Sequence, residues 1–283
     1  MELPEKRYDG LHKASVLSEA EFKTLKKYVE CDIFKHLKIL QRIGLDSAYA
    51  TVWLASFNSS DLNVSFAIKV QKDIEKSEEE AKISYFLEQW FDYFLLMYYN
   101  IRCDKILLSG VSYSGMFMFM EVAMSDLHQL IKYSNVTKSE LVTYILQVCD
   151  SVEIMATNFI YHGDLHLGNV FLVKRETGIR AAVGDFGESR FVLSPTSHLS
   201  DIGYFISQLS IKLRTSALSS DVLSKNKLSV LTKHINKQSA LTEKEFDDFL
   251  ENDAPDETLQ EEKIQSLVKR DMDVIKDLVQ GIF

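Results

Sequence analysis

The spacing of apolar residues changes near Ser125, and this change constrains the fold more than any other feature of the sequence. Before it, stretches rich in β-branched and aromatic residues alternate with turn-forming segments and predict strands. The predicted elements are a helix at 17–37, strands at 40–55 and 63–70 joined by a turn at 58–61, a helix at 73–90, and strands at 105–108 and 116–122. After Ser125, apolar residues recur at helical spacing. The sequence therefore predicts an α+β chain with a β-rich first part.

The second part predicts helices around a short region of strands and loops. The predicted elements are helices at 127–131 and 141–155, short strands at 170–172 and 181–183, and helices from residue 200 to the end. Thr242 followed by Glu243 and Glu245 predicts a helix start, because a hydroxyl cap and early acids favour one. The segment 252–258 contains Pro255 and predicts a break.

The net charge of −9 is concentrated at the C-terminal end. Residues 241–283 contain 13 acidic and 5 basic residues, which leaves the rest of the chain close to neutral. A nucleic-acid-binding protein would carry a basic face, so no nucleic-acid partner is predicted. The acidic residues predict a solvated helical surface, which is also a candidate docking face for a basic partner.

No membrane span is predicted. The most apolar stretch, residues 85–101, carries Glu88, Asp92 and Asn100 and so falls short of the about 20 apolar residues that a span needs.

The cysteines predict a reducing environment. Cys31, Cys103 and Cys149 are odd in number and far apart, so they predict neither a zinc site nor a disulfide framework. The expectation is a cytoplasmic or otherwise intracellular protein.

Three separated pieces carry residues suited to phosphate chemistry. They are residues 67–69 (Ala-Ile-Lys), 162–169 (His-Gly-Asp-Leu-His-Leu-Gly-Asn) and 184–187 (Gly-Asp-Phe-Gly). In this order, with apolar strands before the first and third, they resemble the lysine strand, catalytic loop and metal-binding turn of the protein-kinase-like superfamily. The resemblance implies a single two-lobed domain, 1–283. Its parts would be an N-terminal helical extension (1–38), a β-rich N-lobe (39–120) and a mainly helical C-lobe (121–283).

The resemblance also implies the roles needed for phosphoryl transfer from ATP. Lys69 would hold the α- and β-phosphates, Asp164 would orient the acceptor hydroxyl and take its proton, and Asn169 and Asp185 would bind Mg²⁺. A glutamate on the helix after the lysine strand should pair with Lys69, and Glu80 is favoured over its neighbours Glu78 and Glu79. Because every chemical position is filled, the sequence predicts an active enzyme.

The nucleotide site implied by the resemblance extends over the first part of the chain. It comprises Ile43, Gly44, Ser47, Ala50, Val52, Ala67, Lys69, Met120, Glu121 and Ala123. Adenine would bond to backbone groups near Glu121 and Ala123, with Met120 behind it, whereas Met116 and Met118 are predicted to be core residues.

The phosphate-covering loop departs from the family pattern. Leu45, Ser47 and Ala50 stand where protein kinases usually carry glycines, which predicts a stiffer loop and weaker ATP binding.

Three further departures concern control and substrate. Gly163 replaces an arginine that receives an activating phosphate in many kinases, so that switch is predicted to be absent. His166 replaces the usual lysine and is either a phosphate contact or a structural residue. No Ala-Pro-Glu signature follows Asp185, and residues 195–198 are the only room for a substrate platform.

These features predict an ATP- and Mg²⁺-dependent serine/threonine-protein kinase that acts on a protein substrate. His166 and Gly163 keep open a small-molecule phosphotransferase of the aminoglycoside or choline kinase type. The aromatic-rich stretch 85–99 keeps open a catalytically weak scaffold, although these aromatics are more simply explained as core. Similar catalytic loops occur in divergent kinases of large DNA viruses and bacterial effectors, for which the location would be the host cell.

Overall fold

A computed structural model describes residues 30–43, 50–58, 63–133, 136–215, 225–253 and 256–282. Contacts divide the chain into two units. The first comprises Met1–Met124 and Val173–Ile179, and the second comprises Ser125–Leu172 and Arg180–Phe283. The first is rich in strands and the second in helices, so the predicted α+β class is confirmed. The domain boundaries expected at residues 38 and 120 stay predictions.

The first unit is built on a five-stranded antiparallel sheet with the order β1-β2-β3-β5-β4. The strands are β1 (Leu37–Ile43), β2 (Ala50–Asn58), β3 (Asn63–Gln71), β4 (Met97–Leu108) and β5 (Val111–Met120). Helix α1 (Ile74–Leu87) follows β3, and 3-10 helices lie at Cys31–Lys35 and Glu88–Trp90. Asp73 caps α1, because its carboxylate accepts a hydrogen bond from the backbone of Lys76.

Both faces of this sheet are covered. On one face, Phe66, Phe117 and Phe119 are fully buried, and Phe34 of the first 3-10 helix packs edge-on against Phe117 at 4.8 Å between ring centres. On the other face, Met116 and Met118 pack against residues of α1. The prediction that these two methionines are core residues is therefore confirmed.

The aromatic-rich stretch supports the core explanation as well. Tyr85, Phe94, Tyr98 and Tyr99 are buried, whereas Trp90, Phe91 and Tyr93 are half-buried. None of these seven rings is exposed, so this stretch offers no aromatic surface of the kind that the scaffold hypothesis requires.

The second unit is mainly helical. Its helices are α2 (Leu127–Tyr133), α3 (Lys138–Thr157), α4 (Ser197–Thr215), α5 (Lys225–Asp253) and α6 (Glu257–Ile282). The strand pairs are β6 (Ser125–Asp126) with β8 (Val170–Arg175), β8 with β9 (Gly178–Val183), and β7 (Ile160–Tyr161) with β10 (Arg190–Phe191). The end of β8 and the start of β9, within residues 173–179, belong to the first unit. Helix α3 begins with a capping box between Thr137 and Glu140, and its apolar stripe from Leu141 to Met155 is buried as the spacing predicted.

Several predicted boundaries were wrong. The predicted strand at 40–55 is two strands, and Leu37 opens β1 instead of ending a helix. Within that predicted helix, residues 31–35 form a 3-10 helix, and the part before residue 30 lies outside the described residues. Strand β4 begins at Met97, well before the predicted start. The prediction missed the first part of the strand because Asn100, Arg102 and Asp104 interrupt its apolar pattern. Strand β5 begins at Val111, after a turn whose residue Gly110 has a positive φ of 84°.

The helix start predicted at Thr242 was also wrong. Thr242 lies inside α5, is fully buried, and donates its hydroxyl to Asp271 of α6 at 2.7 Å. A hydroxyl followed by acids marks a cap only where the preceding residues are not helical, and here a partner distant in sequence uses the hydroxyl instead. The break predicted around Pro255 is confirmed, because α5 ends at Asp253 and α6 begins at Glu257.

The prediction of unpaired cysteines was wrong for two of the three. Cys31 and Cys103 form a disulfide that joins the first 3-10 helix to β4 across 72 positions of sequence. Spacing rules search for local pairs, so a pairing made by the fold escapes them. Cys149 is free, and burial raises the pKa of its thiol to about 12. With two of three cysteines paired, the cysteine pattern no longer supports a reducing compartment.

Across the described ranges, no helix combines the length and the apolar character needed to cross a bilayer.

We predict that breaking the disulfide destabilises the first unit. Cys103→Ser, or reduction, should lower the free energy of unfolding by about 2–4 kcal/mol, because the unfolded chain loses a closed loop. Alkylation of the unreduced, denatured protein followed by mass measurement should find a single reactive thiol, at Cys149.

The matched control is Cys149→Ala. Its unfolding midpoint should remain sensitive to reductant, whereas that of Cys103→Ser should not. Three reactive thiols in the unreduced protein would contradict the pairing.

Candidate active site

Part of the predicted nucleotide site lies on a single face of the five-stranded sheet. The residues that share this face are Ile43, Ala50, Val52, Ala67, Lys69 and Met120. Ile43 pairs with Val52, which pairs with Lys69, and Ala67 pairs with Met120. Directly paired residues and residues two apart point to the same side of a sheet, so the register brings these side chains together.

The predicted phosphate-covering loop is a different case. Gly44, Leu45 and Ser47 lie outside the described residues, so the expected stiffness of this loop stays a prediction.

Lys69 and Glu80 form a buried ion pair in the first unit. The ammonium Nζ of Lys69 donates to both carboxylate oxygens of Glu80, at 2.7 and 2.9 Å. The two side chains are only 7% and 3% exposed. Glu78 and Glu79, the other candidates, are exposed to solvent on α1. Of the three glutamates, Glu80 is thus the one that contacts the lysine.

Two neighbouring polar side chains complete this pair. Gln71 donates its Nε2 to Glu80 at 2.7 Å, and the Ser77 hydroxyl donates to the Oε1 of Gln71 at 2.6 Å. Both are buried, and the sequence does not predict their contacts because these depend on how α1 packs on β3. The carboxylate of Glu80 is therefore held by an ammonium and an amide at once.

The segment that follows β5 holds the residues predicted to meet adenine. The backbone N–H of Glu121 donates to the carbonyl of Leu96 at 3.0 Å, and the Glu121 side chain is buried against Arg175. Ala123 lies in the irregular segment between β5 and β6.

In the second unit, β7 leads into the loop that contains Asp164. Asp201, in α4, fixes the start of this loop with both carboxylate oxygens, which accept from the backbone N–H groups of His162 and Gly163 at 2.9 and 3.1 Å. Burial raises the pKa of Asp201 to about 7, although both hydrogen bonds oppose that rise. The sequence predicted only a helix that begins at residue 200, since nothing in the spacing of Asp201 signals a partner 38 residues away.

His162 joins this loop to the segment before Asp185. Burial lowers its pKa to about 4, so the ring is neutral near pH 7. Its Nδ1 accepts from the backbone N–H of Asp164 at 3.3 Å, which leaves the proton on Nε2, 3.3 Å from the carbonyl of Gly184. A neutral imidazole thus ties the two predicted chemical segments together.

Asp164, Asn169 and His166 lie close together in the loop. The Nδ2 of Asn169 donates to the backbone carbonyl of Asp164 at 2.9 Å, and the Nε2 of His166 lies 3.6 Å from a carboxylate oxygen of Asp164. Partial burial raises the pKa of Asp164, the charge of His166 opposes this, and Asp185 and Glu188 add to the rise. His166 therefore favours the ionised form of Asp164, which is the form that accepts a proton.

Asn169 and Asp185 supply oxygen ligands of the kind that Mg²⁺ prefers. Gly184 donates its backbone N–H to the carbonyl of Asn169 at 3.0 Å, which holds the two segments side by side. The Nδ2 of Asn169 donates to the carbonyl of Asp164, so the Oδ1 is the atom through which Asn169 would bind a cation. Asp185 is exposed and has a positive φ of 62°, a strained backbone state that is common at functional sites. A carboxylate with an amide oxygen fits a Mg²⁺ ion that completes its shell with phosphate and water oxygens.

The backbone conformation at residue 163 itself requires glycine. Its φ is +81°, and a Cβ there would lie 2.6 Å from the carbonyl oxygen of Glu188. Any side chain would therefore strain or displace the loop.

The predicted substrate platform at 195–198 is smaller than expected. Ser197 and His198 are buried, and His198 contacts Asp271 of α6 at 3.2 Å. The start of α4 packs into the helical core, so these two residues take up part of the room that the sequence left for a platform. Pro195 and Thr196 are half-buried and remain partly accessible.

Comparison with known proteins adds one match. A family model described as protein tyrosine and serine/threonine kinase matches residues 37–226, which is more than half of the 283 residues. A search of curated proteins finds no match. The family match confirms the superfamily resemblance that the three sequence pieces predicted.

We predict that Glu80→Gln lowers the free energy of unfolding by about 3–5 kcal/mol, because it leaves the buried Lys69 charge without a counter-charge. Urea denaturation would measure the loss. The exposed neighbour Glu79→Gln should stay within about 0.5 kcal/mol of the unmodified protein.

The double variant Lys69→Met/Glu80→Leu should recover much of the lost stability, since an apolar pair has no charge to desolvate. A Glu80→Gln protein as stable as the unmodified chain would contradict the importance of the pair.

Proposed function

Because the chain belongs to the protein tyrosine and serine/threonine kinase family, we propose that it transfers the γ-phosphate of ATP to serine or threonine hydroxyls of protein substrates, using Mg²⁺. The observation that carries the proposal is the buried pair of Lys69 and Glu80 on the sheet face shared with the predicted nucleotide residues. Apolar residues of similar volume are often as stable as a buried ion pair, so stability alone does not explain a lysine there. A need to bind phosphate does.

The first unit supplies nucleotide binding in this proposal. The ammonium of Lys69, fixed by Glu80, would contact the α- and β-phosphates of ATP. Ile43, Val52 and Ala67 would offer apolar contacts to the nucleotide from the same sheet face. Backbone groups of the segment after β5 would bond the adenine edge.

The second unit supplies the chemistry. Asp164 would orient the acceptor hydroxyl and take its proton as the hydroxyl oxygen bonds to the γ-phosphorus; the bond between the γ-phosphorus and the bridging oxygen breaks, and ADP leaves. Asn169 and Asp185 would hold Mg²⁺ through their side-chain oxygens. When bound, Mg²⁺ neutralises negative charge on the phosphates. His166 would keep Asp164 ionised and ready to accept the proton.

A small-molecule phosphotransferase is the second candidate. The burial of Ser197 and His198 favours it, because little of the expected peptide platform remains accessible. Gly163 no longer favours it, since the backbone at this position itself requires glycine.

Two further parts of the proposal concern the location of the activity and a binding partner. ATP is an intracellular metabolite, so we place the activity inside a cell. A basic partner at the acidic C-terminal surface stays a prediction; Glu245 in that region is already paired with Lys263 and Arg270 of the same chain.

The direct test is phosphate transfer from labelled ATP with Mg²⁺. The acceptors are a generic basic protein, peptides that offer only serine, threonine or tyrosine, and hydroxyl compounds such as an aminoglycoside and choline. Lys69→Met and Asp164→Asn should each lower transfer by about 10²- to 10⁴-fold. The matched controls Lys72→Met and Asp273→Asn, at exposed positions, should leave it unchanged.

The acceptor pattern decides among the functions. Transfer to serine and threonine peptides supports the proposal, whereas transfer only to small hydroxyl compounds supports the second candidate. Binding of ATP without transfer to any acceptor would leave a scaffold and contradict both.

We also predict a pH effect at His166. In His166→Gln the pKa of Asp164 should rise, because the imidazolium that opposes its protonation is gone. The carboxylate is the active form, so the acidic limb of the kcat/KM profile should move to higher pH. The control His234→Gln, exposed on α5, should keep the profile of the unmodified enzyme. An acidic limb that stays in place would show that His166 does not tune Asp164.

A further inference from the structure

Glu121, the residue directly after β5, is held by several buried hydrogen bonds. Its backbone N–H donates to the carbonyl of Leu96 at 3.0 Å, and its carboxylate accepts from the backbone N–H of Leu96 at 2.8 Å. The side chain is only 3% exposed. Glu121 is thus held to one residue of the neighbouring segment through both its backbone and its side chain.

Arg175 completes the environment of this carboxylate. Its two terminal nitrogens donate to the two oxygens of Glu121, each at 2.6 Å, in a bidentate arrangement. The same guanidinium donates to the carbonyls of Phe91, at 2.9 and 3.2 Å, and of Phe94, at 3.2 Å. The arginine side chain is 1% exposed, and Asp92 lies 4.0 Å from its Nε. All of these residues belong to the first unit.

Stability alone does not account for this arrangement. A buried ion pair is often no more stabilising than a well-packed apolar pair, whereas it specifies one geometry. Here it fixes Glu121, the first residue of the segment 121–123 that follows β5. Within the described part of the chain, no residue hydrogen-bonds the carbonyl oxygen of Glu121 or the backbone N–H of Ala123. An acceptor and a donor two residues apart are therefore available on a segment whose first residue is held in place by a buried arginine.

We propose that Arg175 is a positioning residue for recognition of the nucleotide base. Acting through the Glu121 carboxylate, it holds the carbonyl of Glu121 and the N–H of Ala123 where they can bond the amino group and ring nitrogen of adenine. Guanine presents a carbonyl and a protonated nitrogen at the corresponding edge, so a rigid acceptor and donor pair rejects it. This inference rests on the proposed function, since it assumes that a purine nucleotide binds the segment after β5.

The test compares ATP with GTP in the full-length protein. Arg175→Met should raise the KM for ATP by about tenfold, and lower the ratio of kcat/KM for ATP to that for GTP by about tenfold. A change of this size is expected when adenine loses about one well-placed hydrogen bond to the backbone of residues 121–123. The kcat at saturating ATP should change by less than about threefold, because Arg175 is not among the residues that act on the phosphates. Lys174→Met, at the exposed neighbouring position, is the matched control and should leave both quantities unchanged.

Two further variants separate positioning from mere folding. Arg175→Lys keeps a charge but cannot make the bidentate contact, so it should lose part of the preference for ATP. Arg175→Met/Glu121→Leu replaces the ion pair by apolar residues; it should regain thermal stability without regaining the preference. Thermal unfolding of every variant restricts the comparison to folded protein, and these two remain for comparison if Arg175→Met does not fold.

The outcomes distinguish this inference from the proposed function. If the unmodified chain binds ATP but transfers no phosphate, calorimetric affinities for ATP and GTP replace kcat/KM and still decide the inference. A folded Arg175 variant with an unaltered ratio of ATP to GTP overturns the inference and leaves the proposed function standing. An unmodified chain that binds neither nucleotide overturns both.

Discussion

The buried ion pair of Lys69 and Glu80 is the interaction that most constrains the structure of the first unit. Strand β3 brings the ammonium, α1 brings the carboxylate, and Gln71 and Ser77 complete the hydrogen bonding around them. A half-satisfied network of buried charges is less stable than an apolar core, so β3 and the start of α1 have to keep one relative register. The apolar faces of the sheet provide most of the stability, and the ion pair selects one arrangement among those that apolar packing alone would allow.

The second unit fixes its candidate residues by other means. The loop around Asp164 is shaped by backbone amides that converge on Asp201 and by the neutral ring of His162. The strained backbone of Asp185 and the positive φ of Gly163 fit the same description, since the surrounding hydrogen bonds and packing hold conformations that an isolated chain would avoid. The groups that shape this loop are backbone amides and a neutral ring, and the charged side chains within it are those that we propose to act on the substrate.

The sequence predicted what short spacing controls. Lys69, Asp164 and Asp185 stand in local motifs, and counting along one helix was enough to favour Glu80. The missed contacts join residues far apart in the chain: Arg175 and Glu121 are separated by 54 positions, and the paired cysteines by 72. Such pairs depend on strand order and helix packing, which no local pattern encodes. Apolar periodicity gave the class of each element more reliably than its ends, because polar residues on the half-exposed faces of β4 and β5 break the alternation.

Residues 173–179 belong to the first unit although the chain on both sides of them belongs to the second. The two units therefore comprise four segments of sequence, two in each unit, and a single cut does not separate them. A fragment that ends at Met124 leaves the Glu121 carboxylate without its guanidinium, whereas a fragment that begins at Ser125 carries a hairpin end whose partners are missing. Recombination between relatives would have to exchange the hairpin together with the sheet that it joins. The modular boundary of this protein is thus a property of the folded chain, and it does not correspond to any one position in the sequence.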